Sequence, residues 1–395
     1  MENIVLATTR YPPETRSGVE SLAGNLARAL VAAGCEVTVV TSGERGEWSV
    51  GPAGERVRRH AAWFRRRGPW WMFGSLLRLA HGRRVLNVNG SRPTGVICNS
   101  PQYTPWARAF MPDVPVVLIC HGVPQVMNAF TDDSAATASM RTRAALGVAR
   151  RVRTSVDLLG YRRADRVVVL SPAALRQVRR HVGLPAGRLV CIPNAVDCDR
   201  FSPRRKTRRP GDELRICFVG RLTGVKNVGY LIEALSLMSG DARWRCRIIG
   251  DGDQRPRLQG MIDERRLADR VTLEGWRDDT AGAYAESDVF VLPSRQEGCP
   301  MALLEAMAGG LPAVALRPDG LEFLADYTGL IEEGLNGYLV DGRAPRSLAA
   351  ALEALARDRD RLAEMGRRSR AIAVERFSLA AIGRRYAELI REVRS

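Results

Sequence analysis

Short apolar runs rich in β-branched residues alternate with helical stretches along almost the whole chain. This alternation is typical of parallel sheets whose strands are joined by crossover helices. The predicted strands form two series: NIVLAT, EVTVVT, TGVIC, PVVLIC, RVVVLS and RLVCIP, then LRICFVG, WRCRIIG, RVTLEG, DVFVLP and PAVAL. A helix is predicted over Val19–Ala33, where leucines and alanines repeat at helix spacing until Gly34. The sequence therefore predicts an α/β fold with doubly wound sheets.

The two series are separated by SPRRKTRRPGDE, a polar, proline-containing stretch without periodicity that is typical of a linker. A chain of 395 residues suits two domains of about 150–200 residues each. We predict a first domain over residues 1–199, a linker over 200–212 and a second domain over 213–376. Ligands of doubly wound sheets bind at the carboxyl ends of the strands, so functional residues are expected directly after strands, around a cleft between the domains.

The formal net charge of +17 raises the question of a nucleic-acid partner. The arginines are spread along the whole chain and no recognisable nucleic-acid module is present, so this alternative is disfavoured. Phosphate-bearing substrates or an anionic membrane surface are compatible with the charge. The sequence lacks both an apolar run of roughly 18–20 residues and the pattern of a signal peptide, which predicts a cytoplasmic protein.

No cysteine or histidine cluster has the spacing of a metal site. Five of the eight cysteines lie in or beside apolar strands and are predicted to be core thiols: Cys98, Cys120, Cys191, Cys217 and Cys246. Asp251 and Asp253 could suggest a divalent metal, but carboxylates in a turn before a helix more often serve as turn and cap residues. We expect no bound metal.

The segment CFVGRLTGVKN ends a predicted strand and places Arg221 and Lys226 in the following loop. Two cations on one such loop suit a diphosphate, whose charge must be neutralised from more than one side. The alternative is a pair of solvated surface cations. Lys226 is one of only two lysines in the chain, and its position after a strand favours the phosphate interpretation.

The segment SRQEGCPMALLEAMAGG continues a predicted strand through a turn into a helix. Its first N–H groups, from Met301, Ala302 and Leu303, are predicted to form an anion site. Glu305 in the apolar helix could accept hydrogen bonds from a vicinal diol such as ribose, and Glu297 at the loop tip could bind other hydroxyls. An ordinary helix glutamate, or an acid/base pair, stays open at this point.

Among the four histidines, His121 alone lies between a strand end and a glycine, so it is a candidate ligand-binding residue; a structural histidine is the alternative.

In this order the motifs resemble the retaining glycosyltransferases of the GT-B fold, of the glycosyltransferase family 4 or group 1 type. The residues that carry the resemblance span nearly the full length: RSGVESLAGNLARAL, CHGVP, VVVLSPAALRQV, CIPNAVDCDRF, FVGRLTGVKNVGYLIEAL, IIGDGDQRPRL, VTLEGW and SRQEGCPMALLEAMAGGLPAVA. The resemblance implies two Rossmann-like domains that transfer a hexose from a nucleotide sugar to an acceptor hydroxyl with retention and without a metal cofactor.

The resemblance also implies roles for single residues. Arg221 and Lys226 would bind the donor diphosphate, Glu305 the ribose, Glu297 the hydroxyls of the donor sugar, and His121 would approach the reacting carbon. The remaining donor-binding candidates are backbone groups near the phosphates and sugar: Gly18, Gly250, Gly252, Met301, Ala302 and Leu303. The C-terminal segment 377–395 resembles the helix that returns to the first domain in such enzymes.

The sequence departs from the family pattern at two loops. Ser17-Gly18 stands where similar enzymes have two glycines, and RPDGLEFLADYTGLIEEGLNGYLV has Gly320 where they often have a Gly-Gly turn. The second loop would face the donor sugar, so UDP-, GDP- and ADP-linked donors all stay open.

The stretch from Trp63 to Arg84 combines aromatic residues with arginines. It suits either an interfacial helix that contacts an anionic membrane or a core helix with a basic flank. We expect a sugar-containing or lipid-linked acceptor and a role in bacterial surface polysaccharide or glycolipid assembly. Natural-product glycosylation, a GT-B epimerase or phosphorylase, and a non-catalytic sugar-nucleotide binding protein are the alternatives.

Overall fold

The structure is a computed structural model that describes residues 1–8, 11, 18–42, 48–60, 92–121, 154–203, 213–240, 242–320, 327 and 329–395. The chain divides into two compact units, one formed by Met1–Ala195 with Leu379–Ser395 and the other by Val196–Ser378. No helix in the described part of the chain combines the length and apolarity that a membrane crossing requires. None of the eight cysteines forms a disulfide, and all except the partly exposed Cys191 are buried.

The first unit contains an eight-stranded sheet within its described residues. Its strands are β1 (Asn3–Ala7), β2 (Glu36–Ser42), β3 (Trp48–Val50), β4 (Arg56–His60), β5 (Gly95–Cys98), β6 (Val116–Cys120), β7 (Arg166–Val169) and β8 (Leu189–Cys191). The spatial order is β3-β4-β2-β1-β5-β6-β7-β8. All neighbours pair in parallel except β3 and β4. The sheet reverses its strand order between β1 and β5, which makes that point a switch point.

Helices connect and cover these strands. They are α1 (Gly18–Ala32), α2 (Tyr103–Phe110), α3 (Pro172–Val182) and α10 (Leu379–Arg394), with residues 154–163 also helical. Helix α1 ends before Gly34, whose φ of 79° is costly for other residues. Helix α10 packs on α1 at Gly383, where an added Cβ would lie 1.9 Å from the carbonyl oxygen of Ala29. The C-terminal helix is therefore part of the first unit.

The second unit contains a six-stranded, parallel sheet within its described residues. Its strands are β9 (Leu214–Val219), β10 (Trp244–Ile249), β11 (Val271–Gly275), β12 (Val289–Leu292), β13 (Ala313–Leu316) and β14 (Gly337–Val340). The spatial order is β11-β10-β9-β12-β13-β14. Its helices are α4 (Val228–Ser236), α5 (Arg255–Glu264), α6 (Ala281–Glu286), α7 (Met301–Ala308), α8 (Pro345–Arg357) and α9 (Arg359–Ile372), with a 3₁₀ turn at Gly224–Lys226 and a π-helical turn at Ala373–Phe377.

The structure differs from the sequence prediction at the boundary between the units. Residues 196–203 belong to the second unit rather than to the first domain and linker. The ring of Phe201 packs edge-on against Tyr284, with centroids 5.8 Å apart. The Nη1 of Arg370 lies within hydrogen-bond distance of the carbonyl oxygens of Cys198 and Phe201. These contacts fix the segment to the second unit. Residues 204–212 of the predicted linker lie outside the described residues.

The structure also contains strands that the sequence did not predict. β3 is exposed along its whole length, and β4 buries Val57 between arginines, so neither strand has an apolar run. β14 is a short edge strand that begins with Gly337. The eleven predicted strands are all present.

Candidate functional site

The switch point of the second sheet lies between β9 and β12, because β10 and β11 lie on one side of β9 and β12 on the other. The loop after β9 carries Arg221 and Lys226, and the loop after β12 carries Glu297. The amide of Arg295 donates to the carbonyl oxygen of Val225 at 2.9 Å, which ties the two loops together. These predicted residues therefore meet at one edge of the sheet.

An ion pair crosses this switch point. The Nζ of Lys226 donates to Oε1 of Glu297 at 2.5 Å, and the two side chains are 24% and 9% exposed. One of the three N–H groups of Lys226 is used in this bond, so two are left for a ligand. Arg221 is exposed and makes no ion pair within the described residues. Together the three side chains carry a net positive charge, which suits a diphosphate.

The loop after β10 packs closely on the loop after β9. A Cβ at Gly250 would lie 1.9 Å from the carbonyl oxygen of Gly220, and a Cβ at Gly252 would lie 2.4 Å from that of Leu222. Both glycines are thus required by loop packing, whether or not they also face a donor.

The two aspartates of that loop make turn contacts. Oδ1 of Asp251 accepts from the amide of Gly252, and Oδ2 of Asp253 accepts from the side chain of Gln254. Within the described residues, no three His, Cys, Asp or Glu side chains lie close enough together to hold a metal.

Helix α7 begins directly after the loop that carries Glu297. The amide of Leu303 donates to the carbonyl oxygen of Pro300 at 3.2 Å, so it is already partnered. Among the described residues, the amides of Met301 and Ala302 donate to no backbone acceptor. Two of the three predicted N–H groups are thus available to an anion at the positive end of the helix dipole.

Glu305 lies one turn further along α7 and has a buried partner. Oε2 of Glu305 accepts from the hydroxyl of Tyr284 at 3.0 Å. The Glu305 side chain keeps some access to solvent, but the surrounding protein desolvates it and raises the pKa of its carboxyl to about 7. The Tyr284 hydrogen bond and the charge of Arg200 act in the opposite direction. Glu305 is therefore a carboxylate whose charge changes near neutral pH.

The ring of Tyr284 is fixed between two other rings. Its centroid lies 5.8 Å from that of Phe201 and 5.9 Å from that of Phe290, in edge-on contacts. This packing orients the hydroxyl toward Glu305. Sequence reasoning missed Tyr284, since nothing in a short helix before a strand indicates where its side chain points.

A second buried tyrosine, Tyr327, is influenced by the charge of Glu297. Tyr327 is 2% exposed, and its hydroxyl has no hydrogen-bond partner in the described part of the chain. Burial, followed by the charge of Glu297, raises the pKa of this hydroxyl well above its usual range. Tyr327 belongs to the loop that departs from the family pattern, whose residues 321–326 and 328 lie outside the described residues.

In the first unit, three side chains lie at the carboxyl ends of neighbouring strands. His121 directly follows β6, and its Nε2 lies 2.5 Å from Oδ1 of Asn99, which follows β5. Nδ2 of Asn99 donates to Oγ1 of Thr8, which follows β1, at 3.2 Å. Burial lowers the pKa of His121 to about 4. Sequence reasoning missed Asn99, although its place directly after a predicted strand was a usable signal.

Two other predicted features fall at the edge of the described residues or beyond it. Gly18 is the first residue of α1, and the loop before it is described only at Thr8 and Tyr11. The stretch at residues 63–84 lies outside the described residues, so its membrane role stays a prediction.

Two family models match the chain, one for each half. The model described as Glycosyltransferase Family 4 matches residues 16–200, and the model described as Glycosyl transferases group 1 matches residues 213–358. WcaL of Escherichia coli, whose name assigns it to colanic acid biosynthesis as a glycosyltransferase, is 32% identical over 240 residues. The match covers 58% of this chain and 57% of WcaL, so less than two thirds of that relative is represented.

Solved structures with the same fold cover the whole chain. Sucrose-phosphate synthase from Thermosynechococcus elongatus has a TM-score of 0.77 at 22% identity, covering 100% of this chain and 99% of that chain. HepE of Anabaena, solved in complex with UDP and glucose, has a TM-score of 0.71 at 17% identity, covering 99% and 100%. At these identities the likeness concerns the fold alone.

Proposed function

The chain belongs to glycosyltransferase family 4, the group 1 glycosyl transferases, and has their GT-B fold; on this premise we propose that it transfers a hexose from a nucleotide sugar to an acceptor hydroxyl with retention of anomeric configuration. The observation that carries the proposal is the Lys226–Glu297 ion pair across the switch point of the second sheet. It places a phosphate-binding cation beside a carboxylate that accepts hydrogen bonds from hydroxyls.

Each end of a nucleotide sugar has a matching group in this unit. Lys226, the exposed Arg221 and the amides of Met301 and Ala302 would hold the diphosphate. Glu305, whose charge changes near neutral pH, would accept hydrogen bonds from the ribose hydroxyls. Glu297 would turn part of its carboxylate to the hydroxyls of the sugar while keeping its contact with Lys226. The proposal thus assigns the phosphates to the cations and helix amides, and the hydroxyls to the two carboxylates.

In the proposed reaction, the bond between the anomeric carbon and the leaving phosphate oxygen breaks. A bond forms from the acceptor oxygen to the same carbon on the same face, and the acceptor proton passes to the leaving phosphate. Arg221 and Lys226 would stabilise the charge that develops on this phosphate. Positioning and electrostatic stabilisation then accelerate the reaction, with no dedicated side-chain base.

UDP is the first nucleotide to test, because HepE was solved with UDP and, in another structure, with UDP-glucose. Assembly of a bacterial surface polysaccharide is the proposed setting, because WcaL is named for colanic acid biosynthesis.

A nucleotide-release assay tests the proposal. The full chain is incubated with UDP-glucose, GDP-mannose or ADP-glucose, with and without a lipid extract of bacterial membranes as acceptor. We expect one donor to release its nucleotide only when the extract is present, and NMR of the product to show the anomeric configuration of the donor. Arg221→Met should lower the rate about 10²–10³-fold, because a charge that stabilises the leaving group is lost.

Arg357→Met is the matched control, since Arg357 lies on α8 of the same unit and is 72% exposed. It should leave the rate unchanged. Inversion at the anomeric carbon would rule out retention. Consumption of the donor with no sugar added to an acceptor would favour an epimerase or phosphorylase. Binding of the donor without its consumption would favour a sugar-nucleotide binding protein.

A further inference from the structure

Three polar side chains, linked by hydrogen bonds, lie across the switch point of the first sheet. Thr8, Asn99 and His121 follow the neighbouring strands β1, β5 and β6. Thr8 and Asn99 are 3% and 8% exposed. The amide of Asn99 also donates to the carbonyl oxygen of Ala7 at 2.8 Å, which holds the backbone of this residue against β1. The contacts with Thr8 and Ala7 therefore fix Asn99 independently of its contact with His121.

The direction of the hydrogen bonds determines the state of the imidazole. Nδ2 of Asn99 donates to Thr8, so Oδ1 is the atom that Asn99 presents to His121. A carboxamide oxygen can only accept, so Nε2 of His121 must carry the proton. Because burial lowers the pKa of His121 to about 4, the ring is neutral near pH 7 and Nδ1 keeps its lone pair.

The other ring nitrogen of His121, Nδ1, forms no hydrogen bond within the described structure. The atom is buried and has no hydrogen-bond partner among the described residues. A buried acceptor left in this state costs free energy, and a ligand that donates a hydrogen bond to it regains that free energy.

We propose that Asn99 is a positioning residue that holds His121 in the Nε2–H tautomer, so that Nδ1 accepts a hydrogen bond from a neutral hydroxyl group of the substrate. The inference deepens the proposed function, on which the identity of that substrate rests. A neutral acceptor repels an anionic group such as a carboxylate or phosphate and pairs with an O–H donor. His121 therefore recognises a hydroxyl and does not bind the diphosphate.

The tautomer can be measured without any substrate. The chain contains four histidines, His60, His81, His121 and His181, so ¹⁵N-histidine labelling gives a spectrum with few signals. The signals that disappear in His121→Gln are those of His121. Long-range ¹H–¹⁵N NMR distinguishes Nδ1 from Nε2 protonation. In the wild type we expect the Nε2–H tautomer, with no titration of His121 between pH 5.5 and 8.

Two substitutions test the role of Asn99. Asn99→Ala removes the acceptor, and we expect His121 to become a mixture of tautomers. Asn99→Asp keeps the acceptor and adds a negative charge, so the Nε2–H tautomer should be kept and the pKa of His121 should rise by about 1–3. The signals of His181, at the exposed end of α3, should stay unchanged and show that the unit is folded.

Either of two outcomes would overturn the inference. One is an Nδ1–H tautomer of His121 in the wild type, and the other is a single, unchanged tautomer of His121 in folded Asn99→Ala. The substrate part is tested with UDP-glucose in the nucleotide-release assay. Asn99→Ala should lower kcat about 10-fold or more, while Asn99→Asp with a neutral ring should recover part of the loss near pH 8. If no nucleotide sugar is consumed by the wild type, the proposed function fails, and the NMR result still decides the role of Asn99.

Discussion

At the scale of single residues, the most informative group is Glu305. Its carboxyl has a pKa raised to about 7 because protein atoms desolvate it, although Tyr284 donates a hydrogen bond to it. A desolvated carboxylate gains stability from added hydrogen-bond donors, so it is well suited to bind the two hydroxyls of a vicinal diol. The same desolvation makes the charged form of Glu305 unfavourable in the absence of a ligand.

This shift gives a pH-dependent stability whose sign is defined. The folded pKa of Glu305 lies above its unfolded value, so its favourable contribution is present below about pH 4.5 and is lost as the pH rises through about 7. Relative to Glu305→Gln, the wild type without ligand should therefore lose free energy of unfolding between pH 5 and pH 8. Urea unfolding of both proteins across this range measures the difference.

Two further variants make that measurement specific. Tyr284→Phe removes the hydrogen bond that favours the charged form, so the loss of stability should extend to higher pH. Glu353→Gln on α8 of the same unit changes one carboxylate elsewhere and serves as the control. An equal pH dependence in the wild type and Glu305→Gln would show that Glu305 titrates normally.

Sequence reasoning located residues by their position after strands but not by their partners. Lys226 and Glu297 are 71 positions apart in the chain, yet they form an ion pair because β9 and β12 are neighbours in the sheet. Tyr284 and Asn99 form hydrogen bonds with Glu305 and His121, and these contacts depend on side-chain directions that a linear pattern does not contain. The pairing of strands, which brings such residues together, was not predicted.

At the scale of elements, the contact between α1 and α10 shows how the C-terminus completes the first unit. Ile382, Tyr386, Leu389 and Ile390 repeat at helix spacing and are buried. Gly383 lies between them, where the backbone of α1 leaves no room for a Cβ. The sequence predicted this helix and its return to the first domain from a resemblance, whereas the requirement for glycine is visible only in the contact.

Gly383→Ala should destabilise the first unit. The added Cβ would lie 1.9 Å from the carbonyl oxygen of Ala29 and 3.1 Å from the Cβ of Ala33, so the helices must move apart. Overpacking of this kind costs about 1–3 kcal/mol. Thermal unfolding followed by circular dichroism measures the change. Gly187→Ala is the matched control, because an added Cβ there meets no atom within 4 Å; equal stabilities of the two variants would contradict the packing account.

Strand prediction succeeded where a strand contains a buried apolar run and failed at β3, β4 and β14. The burial of β5, β6 and β12 on both faces produces continuous apolar runs. β4 contains four basic residues and Val57, and its edge partner β3 is exposed. β3 and β14 are short edge strands, which are common because they discourage pairing with other chains. Neither these short strands nor the basic β4 beside β3 contains a long apolar run.

At the scale of the whole molecule, each unit brings its candidate residues to the switch point of its own sheet. In the first unit Thr8 and Asn99 bridge β1 and β5, and in the second Lys226 and Glu297 bridge the loops after β9 and β12. The same rule of doubly wound sheets thus accounts for both clusters. The nucleotide sugar is proposed to bind the second cluster, and a hydroxyl of the substrate the first.

Isothermal titration of the full chain with UDP tests the central claim most directly. We expect one UDP to bind per chain, and Lys226→Met to weaken binding about 10- to 100-fold, because a charge-assisted hydrogen bond worth about 1.5–3 kcal/mol is lost. Arg357→Met, which removes the same charge from α8, should bind as the wild type does. If the wild type binds none of UDP, GDP and ADP, or if Lys226→Met binds UDP unchanged, the switch point of the second sheet is not the donor site.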